Sequence, residues 1–152
     1  MAQLTVQEQA GSGYTHKFAF DYLDLQDTNF LSNLGAANQK KIGTMKPGDI
    51  IDMAAVYQVT AAAGVTDATL DFGNQTNDPD EIIDAAAIGN LATNPLIINS
   101  GDGFATAFAV QDFIENATTA NKTLYAEING TLTALTAGSW VLAWRQLSVP
   151  RS

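Results

Sequence analysis

The stretch Thr123–Val149, TLYAEINGTLTALTAGSWVLAWRQLSV, decides the fold class. Leu124, Ala126 and Ile128 alternate with Thr123, Tyr125 and Glu127. That period of two is the mark of a strand with one apolar face. Asn129-Gly130 follows, and both residues take positive φ readily, which suits a tight type I′ hairpin turn. Thr131–Leu135 is then expected to return as a second strand. Thr136-Ala137-Gly138 turns again, and Ser139–Val149 closes with Trp140, Leu142 and Trp144 on one face. These features describe a three-stranded antiparallel meander with Leu124, Ala126 and Ile128 turned to a core.

Working outward, the same period recurs in short pieces. Leu70 and Phe72 alternate with Thr69, Asp71 and Gly73. After a polar turn, Asp78 stands at an N-cap position, Pro79 at the first helical position and Glu81 at the third, which predicts a short helix through Ile82 and Ile83. Lys46-Pro47-Gly48-Asp49 reads as a turn opening the longest strand, Ile50–Ala62, with Ile51, Met53, Ala55, Tyr57 and Val59 on one face. Val56, on the opposite face, points to cover on both sides. Tyr14–Leu25 reads as one strand with Phe18, Phe20 and Tyr22 aligned, and His16, in register with Phe18, as a partly buried strand residue. Asp27–Lys41 reads as loop with a helical turn. Leu96–Ile98 and Phe104–Gln111 are further strands, and Asp112–Asn121 is a loop or a single turn. Eight or so strands with turn signals every ten to fifteen residues predict an all-β fold. The expected form is an antiparallel β-sandwich, jelly-roll-like, with one or two short helical turns. Residues 1–13 form an N-terminal strand or arm, where Leu4 and Val6 alternate with Thr5 and Gln7 before the flexible Ala10–Gly13. Residues 14–152 form a single β-sandwich domain.

Composition narrows the function. A chain of 152 residues buries roughly 70% of its unfolded surface and needs no covalent staple. It has no cysteine, which excludes disulfides and thiol chemistry. No apolar run approaches a membrane span, and the N-terminus lacks the features of a signal peptide. With 7 basic against 16 acidic residues, the net charge of −9 leaves no basic patch for a phosphate backbone. The expected partners therefore include neither nucleic acid nor membrane. Only 15% of residues are charged, so Thr, Asn, Gln, Ser, Gly and Ala must cover the surface. Charge depletion of this kind is common at protein interfaces.

The search for chemistry finds little. One histidine and no cysteine cannot furnish a metal set or a nucleophile-and-base pair with confidence in any partner. Gly11-Ser12-Gly13 lacks the lysine and helix of a phosphate loop. Glu127 is the only glutamate well inside a strand and reads as solvent-facing, which leaves no carboxylate pair across a cleft. Asp78, Asp80, Glu81 and Asp84, with Asn74 and Asn77 nearby, offer oxygen ligands of the kind calcium takes, though the spacing is not that of an EF-hand. The same acids also suit a helix N-terminus, so no cofactor is expected. Trp140 and Trp144 would make a sugar-stacking platform if exposed and core if not. The chain is expected not to be an enzyme.

The order of features resembles small virion proteins of tailed bacteriophages. The residues are Met45-Lys46-Pro47-Gly48-Asp49-Ile50-Ile51, then Leu70-Asp71-Phe72-Gly73 leading into Asp78-Pro79-Asp80, and Thr133-Ala134-Leu135-Thr136-Ala137-Gly138 before the last strand. The resemblance spans roughly residues 45–148 and implies a capsid decoration (cement) protein of β-sandwich type. Such a protein sits on the outer surface of the head, binds the major capsid protein and forms homo-oligomers. Leu4, Thr5, Val6, Gln7, Glu8 and Gln9 are then the candidate capsid-contact arm, or else an edge strand of the same sandwich. A tail or fibre component, a carbohydrate-binding module and a sandwich-fold hydrolase are the alternatives.

Overall fold

The computed structural model describes residues 13–30, 38–75, 79–89, 97–98 and 113–148. The order is β1 (His16–Asp21), α1 (Tyr22–Leu25), β2 (Gln39–Met45), β3 (Ile50–Ala63), β4 (Thr69–Gly73) and β5 (Ile83–Ala87). It continues with β6 (Ile97–Ile98), β7 (Ile114–Glu115), β8 (Lys122–Asn129), a 3-10 turn (Leu132–Ala134) and β9 (Ala137–Leu147). One sheet runs β1-β9-β3-β6, with β7 also on β3; the other runs β2-β8-β4-β5. Every described pairing is antiparallel. The chain passes back and forth between the sheets: β2, β4, β5 and β8 belong to one, and β1, β3, β6, β7 and β9 to the other. That interleaving is the jelly roll.

The alternation expected in β8 and β9 supplies the core. Leu124, Ala126 and Ile128 are fully buried, as are Leu70 and Phe72 of β4, and they face Trp140, Leu142 and Trp144. Phe20 stacks on Trp140 at 5.3 Å, and Phe72 meets Trp144 at 5.1 Å. Each side chain of this size contributes about 1.5–3 kcal/mol by leaving water.

Six local expectations are corrected. Asn129-Gly130 does not close a hairpin. β8 lies in the interior of its sheet, with β2 on one side and β4 on the other, so no edge remains for a returning strand. The chain instead crosses to the other sheet through the 3-10 turn, whose Leu132 and Leu135 are three apart and both buried. Asp67 holds the crossing: its carboxylate accepts from Thr131 N at 3.0 Å and from Thr131 Oγ1 at 2.7 Å. Those bonds hold the Asp67 carboxyl below its ordinary pKa.

The expected helix through Ile82 and Ile83 is absent. Ile83 opens β5, Ile82 N donates to Phe72 O at 3.0 Å, and both isoleucines are fully buried. Burial of two adjacent apolar side chains against β4 outweighs the capping pattern. The strand expected over Tyr14–Leu25 stops at Asp21. Asp24 N donates to Asp21 Oδ1 at 2.9 Å and Asp21 N to Asp24 Oδ2 at 3.0 Å, a reciprocal cap that starts α1. Residues 39–41, read as the end of a loop, open β2 (Gln39–Met45), an edge strand whose polar Lys40 and Lys41 hide its period.

β3 has the expected extent, but its faces exchange partway. Ile51 pairs with Gln146 and Met53 with Arg145, so Asp52 is an extra residue and the phase shifts. Ala54, Val56 and Gln58 then point inward, while Met53, Ala55, Tyr57 and Val59 face out. Arg145 clamps Asp52 through two bonds, 2.7 and 2.5 Å, and the guanidinium holds the Asp52 carboxyl below its usual range. His16 is exposed rather than partly buried, with its ring stacked on Trp144 at 5.4 Å. The strand expected over Phe104–Gln111 lies outside the described residues.

Candidate interaction surface

The two sheets present different outer faces. On the β2-β8-β4-β5 sheet, polar side chains bond one another: Gln39 Nε2 donates to Glu127 Oε2 at 2.7 Å, and Asn129 Nδ2 donates to Glu127 Oε1 at 2.8 Å. Asp71, nearly buried, accepts from Ala85 N at 2.5 Å. Glu127 is thus a hydrogen-bonded strut, not a free solvent-facing carboxylate.

The outer face of the β1-β9-β3 sheet carries Lys17, Asp21 and Arg145 but is otherwise built from small and apolar residues, because the shift at Asp52 sends Ala55, Tyr57 and Val59 outward beside Val141 and Ala143 of β9. Tyr14 packs on Ala55 and Ala143, and burial raises its phenol pKa. Val59 is 54% exposed. It borders a shallow depression of about 270 Å³ lined also by Ala19, Asp21, Asp24, Ser139 and Val141. A mostly apolar lining with two acids has the anatomy of a protein-binding face.

Most of the described acidic residues are engaged in holding the fold. Asp27 Oδ1 accepts from Asn29 N at 2.9 Å. Asp49 Oδ2 accepts from Lys46 N at 2.9 Å and from Gln146 Nε2 at 3.0 Å, which closes the expected Lys46–Asp49 turn. Asp21, Asp24, Asp52, Asp67, Asp71 and Glu127 are tied as described above. His16 Nδ1 lies 2.7 Å from Thr15 Oγ1. These contacts do not converge on one cleft in the manner of a hydrolytic site. Trp140 and Trp144 are core: Trp140 Nε1 donates to Ile88 O at 3.1 Å and Trp144 Nε1 to Gln146 Oε1 at 3.2 Å, so they form no sugar platform.

Of the acidic group proposed for calcium, Asp78 lies outside the described residues and Asp84 is exposed on β5. Glu81 turns inward over Gly73. Its Oε2 accepts from Asn74 N at 2.9 Å, and its buried Oε1 has no partner among the described residues. A Cβ on Gly73 would lie 1.6 Å from that carboxylate, so a larger residue there would displace it. Among the described residues, no three His, Asp or Glu side chains gather closely enough to hold a metal ion, and no helix is long and apolar enough to cross a membrane. The arm residues Leu4, Thr5, Val6, Gln7, Glu8 and Gln9 also lie outside the described residues. The apolar outer face was missed in the sequence because the phase shift at Asp52 leaves no signature in residue type.

Burial raises the Glu81 pKa above its ordinary 4.5. The native state therefore holds the proton more tightly than the unfolded chain, and stability falls as pH rises from about 4.5 through the native pKa. Glu81→Gln keeps the acceptor for Asn74 N and carries no charge. It is expected to raise Tm at pH 7 by about 2–4 °C, for about 1 kcal/mol recovered. The gain should vanish at pH 4. Thermal unfolding followed by circular dichroism across pH 4–7 measures both, and a gain independent of pH would refute the assignment.

No family model and no curated protein matches the chain. Solved structures that share its fold include a chain of the Cyanophage Pam1 capsid asymmetric unit. That chain gives a TM-score of 0.54 at 13% identity, over 91% of this chain and 83% of that one. A chain of the capsid of Ralstonia phage GP4 gives a TM-score of 0.51 at 16% identity, over 91% of this chain and 86% of that one. At these identities the likeness is one of fold.

Proposed function

We propose that this protein is a structural component of a tailed-phage virion, a decoration (cement) protein that binds the major capsid protein on the outer surface of the head. The observation that carries the proposal is the shared jelly roll: it extends over 91% of this chain and most of each phage capsid chain, with no large part left over. Three features support it. Most of the described carboxylates brace the fold rather than surround a substrate cleft. Val59, exposed beside half-buried Tyr57, offers the kind of apolar surface that subunit contacts use. The net charge of −9 suits the outside of a shell, away from packaged DNA.

In this reading the protein clamps neighbouring capsid subunits and opposes the outward pressure of the genome. Binding draws on about 25 cal/mol per Å² of apolar surface removed from water, less the costs of association. Many copies on one shell let a modest single-site affinity suffice. The site on the shell is composite and exists only at the mature spacing of the subunits.

Co-sedimentation with emptied mature heads and with procapsids tests this. Strong binding to heads and weak binding to procapsids is expected, and equal binding to both or none to either would remove the proposal. Val59→Glu places a charge on the outer face at an exposed position. It is expected to weaken head binding at least tenfold while leaving Tm within about 1 °C, the usual range for surface substitutions. Unchanged binding would move the contact to another face.

A further inference from the structure

Strand edges are where sheets recruit more chain, and this sandwich guards its edges unequally. β2, at one edge of its sheet, carries Lys40 and Lys41 and a register break at Ile42. β5, at the other edge, holds Ala85 at φ 52 and loses register against β4. Both devices discourage pairing. β1 has neither. Its six residues pair with β9 in unbroken register from His16↔Trp144 to Asp21↔Ser139. Among the described residues its other side pairs with nothing, and His16, Lys17 and Ala19 are exposed.

The segment preceding β1 supplies an occupant of the right kind. Leu4, Val6 and their neighbours have the alternation of a strand and are set off by Ala10–Gly13. The path of the chain shows which copy they serve. Thr15 N donates to Trp144 O at 2.9 Å, and Tyr14 lies on Ala55 and Ala143. A Cβ on Gly13 would lie 3.0 Å from Met53 Cε of β3. Traced backward from β1, the chain thus crosses β9 onto β3 and leads away from the free edge of β1. Returning to its own edge would mean recrossing two strand spacings, about 10 Å. The twelve residues before Gly13 can span about 40 Å when extended, enough to reach a neighbour.

We propose that the free edge of β1 receives residues 4–9 of a second copy as an added strand, so that copies of this chain are linked by exchanged arms. Main-chain bonds give the affinity in strand addition, and alternate side chains set the register. The inference concerns contact between copies and stands apart from the capsid reading, whose assay uses heads.

The absence of cysteine makes the test clean. Chains carrying Thr5→Cys are mixed with chains carrying Lys17→Cys and treated with a short bismaleimide. A cross-linked dimer at least ten times more abundant in the mixture than in either variant alone is expected. Removing residues 2–9 should shift the sedimentation coefficient to that of a monomer. Three results would overturn the proposal: a full chain that sediments as a monomer, an oligomer that survives the deletion, or a Thr5→Cys/Lys17→Cys double variant that cross-links only within one chain. The last would make residues 4–9 a strand of their own sandwich.

Discussion

Gly64→Ala is expected to lower Tm by about 6–12 °C, for a loss of about 3 kcal/mol or more. Gly64 follows β3 at φ +98, a conformation that side chains resist. A Cβ there would lie 2.2 Å from Ala134 O and 3.0 Å from Thr136 N. Both are backbone atoms, so no side chain can rotate away. The contact is also structural in a second sense: Thr136 N donates to Ala63 O at 2.9 Å, which fastens the crossing from β8 to β9 onto the end of β3. A methyl group at Gly64 must push that crossing outward and loosen the entry to β9. Chemical denaturation of the variant beside Ala62→Gly, a nearby change without the clash, checks the prediction. A loss below about 1 kcal/mol would refute the close approach.

Gln58→Met is expected to raise stability by about 2 kcal/mol, or Tm by about 4–8 °C. Gln58 is 1% exposed and points inward from β3, opposite Trp140. Among the described residues, neither its Nε2 nor its Oε1 meets a hydrogen-bond partner. A buried polar group left unpaired costs about 1–3 kcal/mol, and methionine fills the same volume without that cost. Gln39 provides the contrast. It is equally buried and its Oε1 is also unpaired among the described residues, but its Nε2 gives Glu127 a charge-assisted bond, so Gln39→Met should destabilise by removing one of the two bonds that carboxylate accepts. Opposite signs for two Gln→Met changes, read by the same denaturant titration, are the expected result. Loss of stability at both positions would mean that the Gln58 amide is paired.

The strands with clean alternation were legible in advance. β8 and β9 point the expected side chains inward, and Leu70 and Phe72 of β4 do the same. What misled was local sequence overruled by distant partners. Asn129-Gly130 is a hairpin signal only if β8 has a free edge, and β2 and β4 occupy both. Asp78-Pro79-Asp80-Glu81 suits a helix start, yet Ile82 and Ile83 gain more by burial against β4. The start of α1 was readable from Asp21 and Asp24 three apart, but the aromatic period of Phe18, Phe20 and Tyr22 ran across it. The acidic group at 78–84 was legible as a cluster of residue types and not as a geometry, since Glu81 turns away over Gly73. The outward face around Val59 depends on one extra residue at Asp52, and nothing local to Ile50–Ala62 announces it.

The position of β9 also bears on how the molecule comes into being. It lies between β1 and β3, and the bond between Thr15 and Gln146 joins residues 131 apart in the chain. A nascent chain lacking residues 137–147 therefore has β1 and β3 without the strand that joins them. Half the sandwich stays open until nearly all of it has been synthesised. Contacts of such long range make for slow folding, in milliseconds to seconds. The unpaired sides of β1 and β3 are exposed throughout that interval, when partly made chains are most prone to join one another.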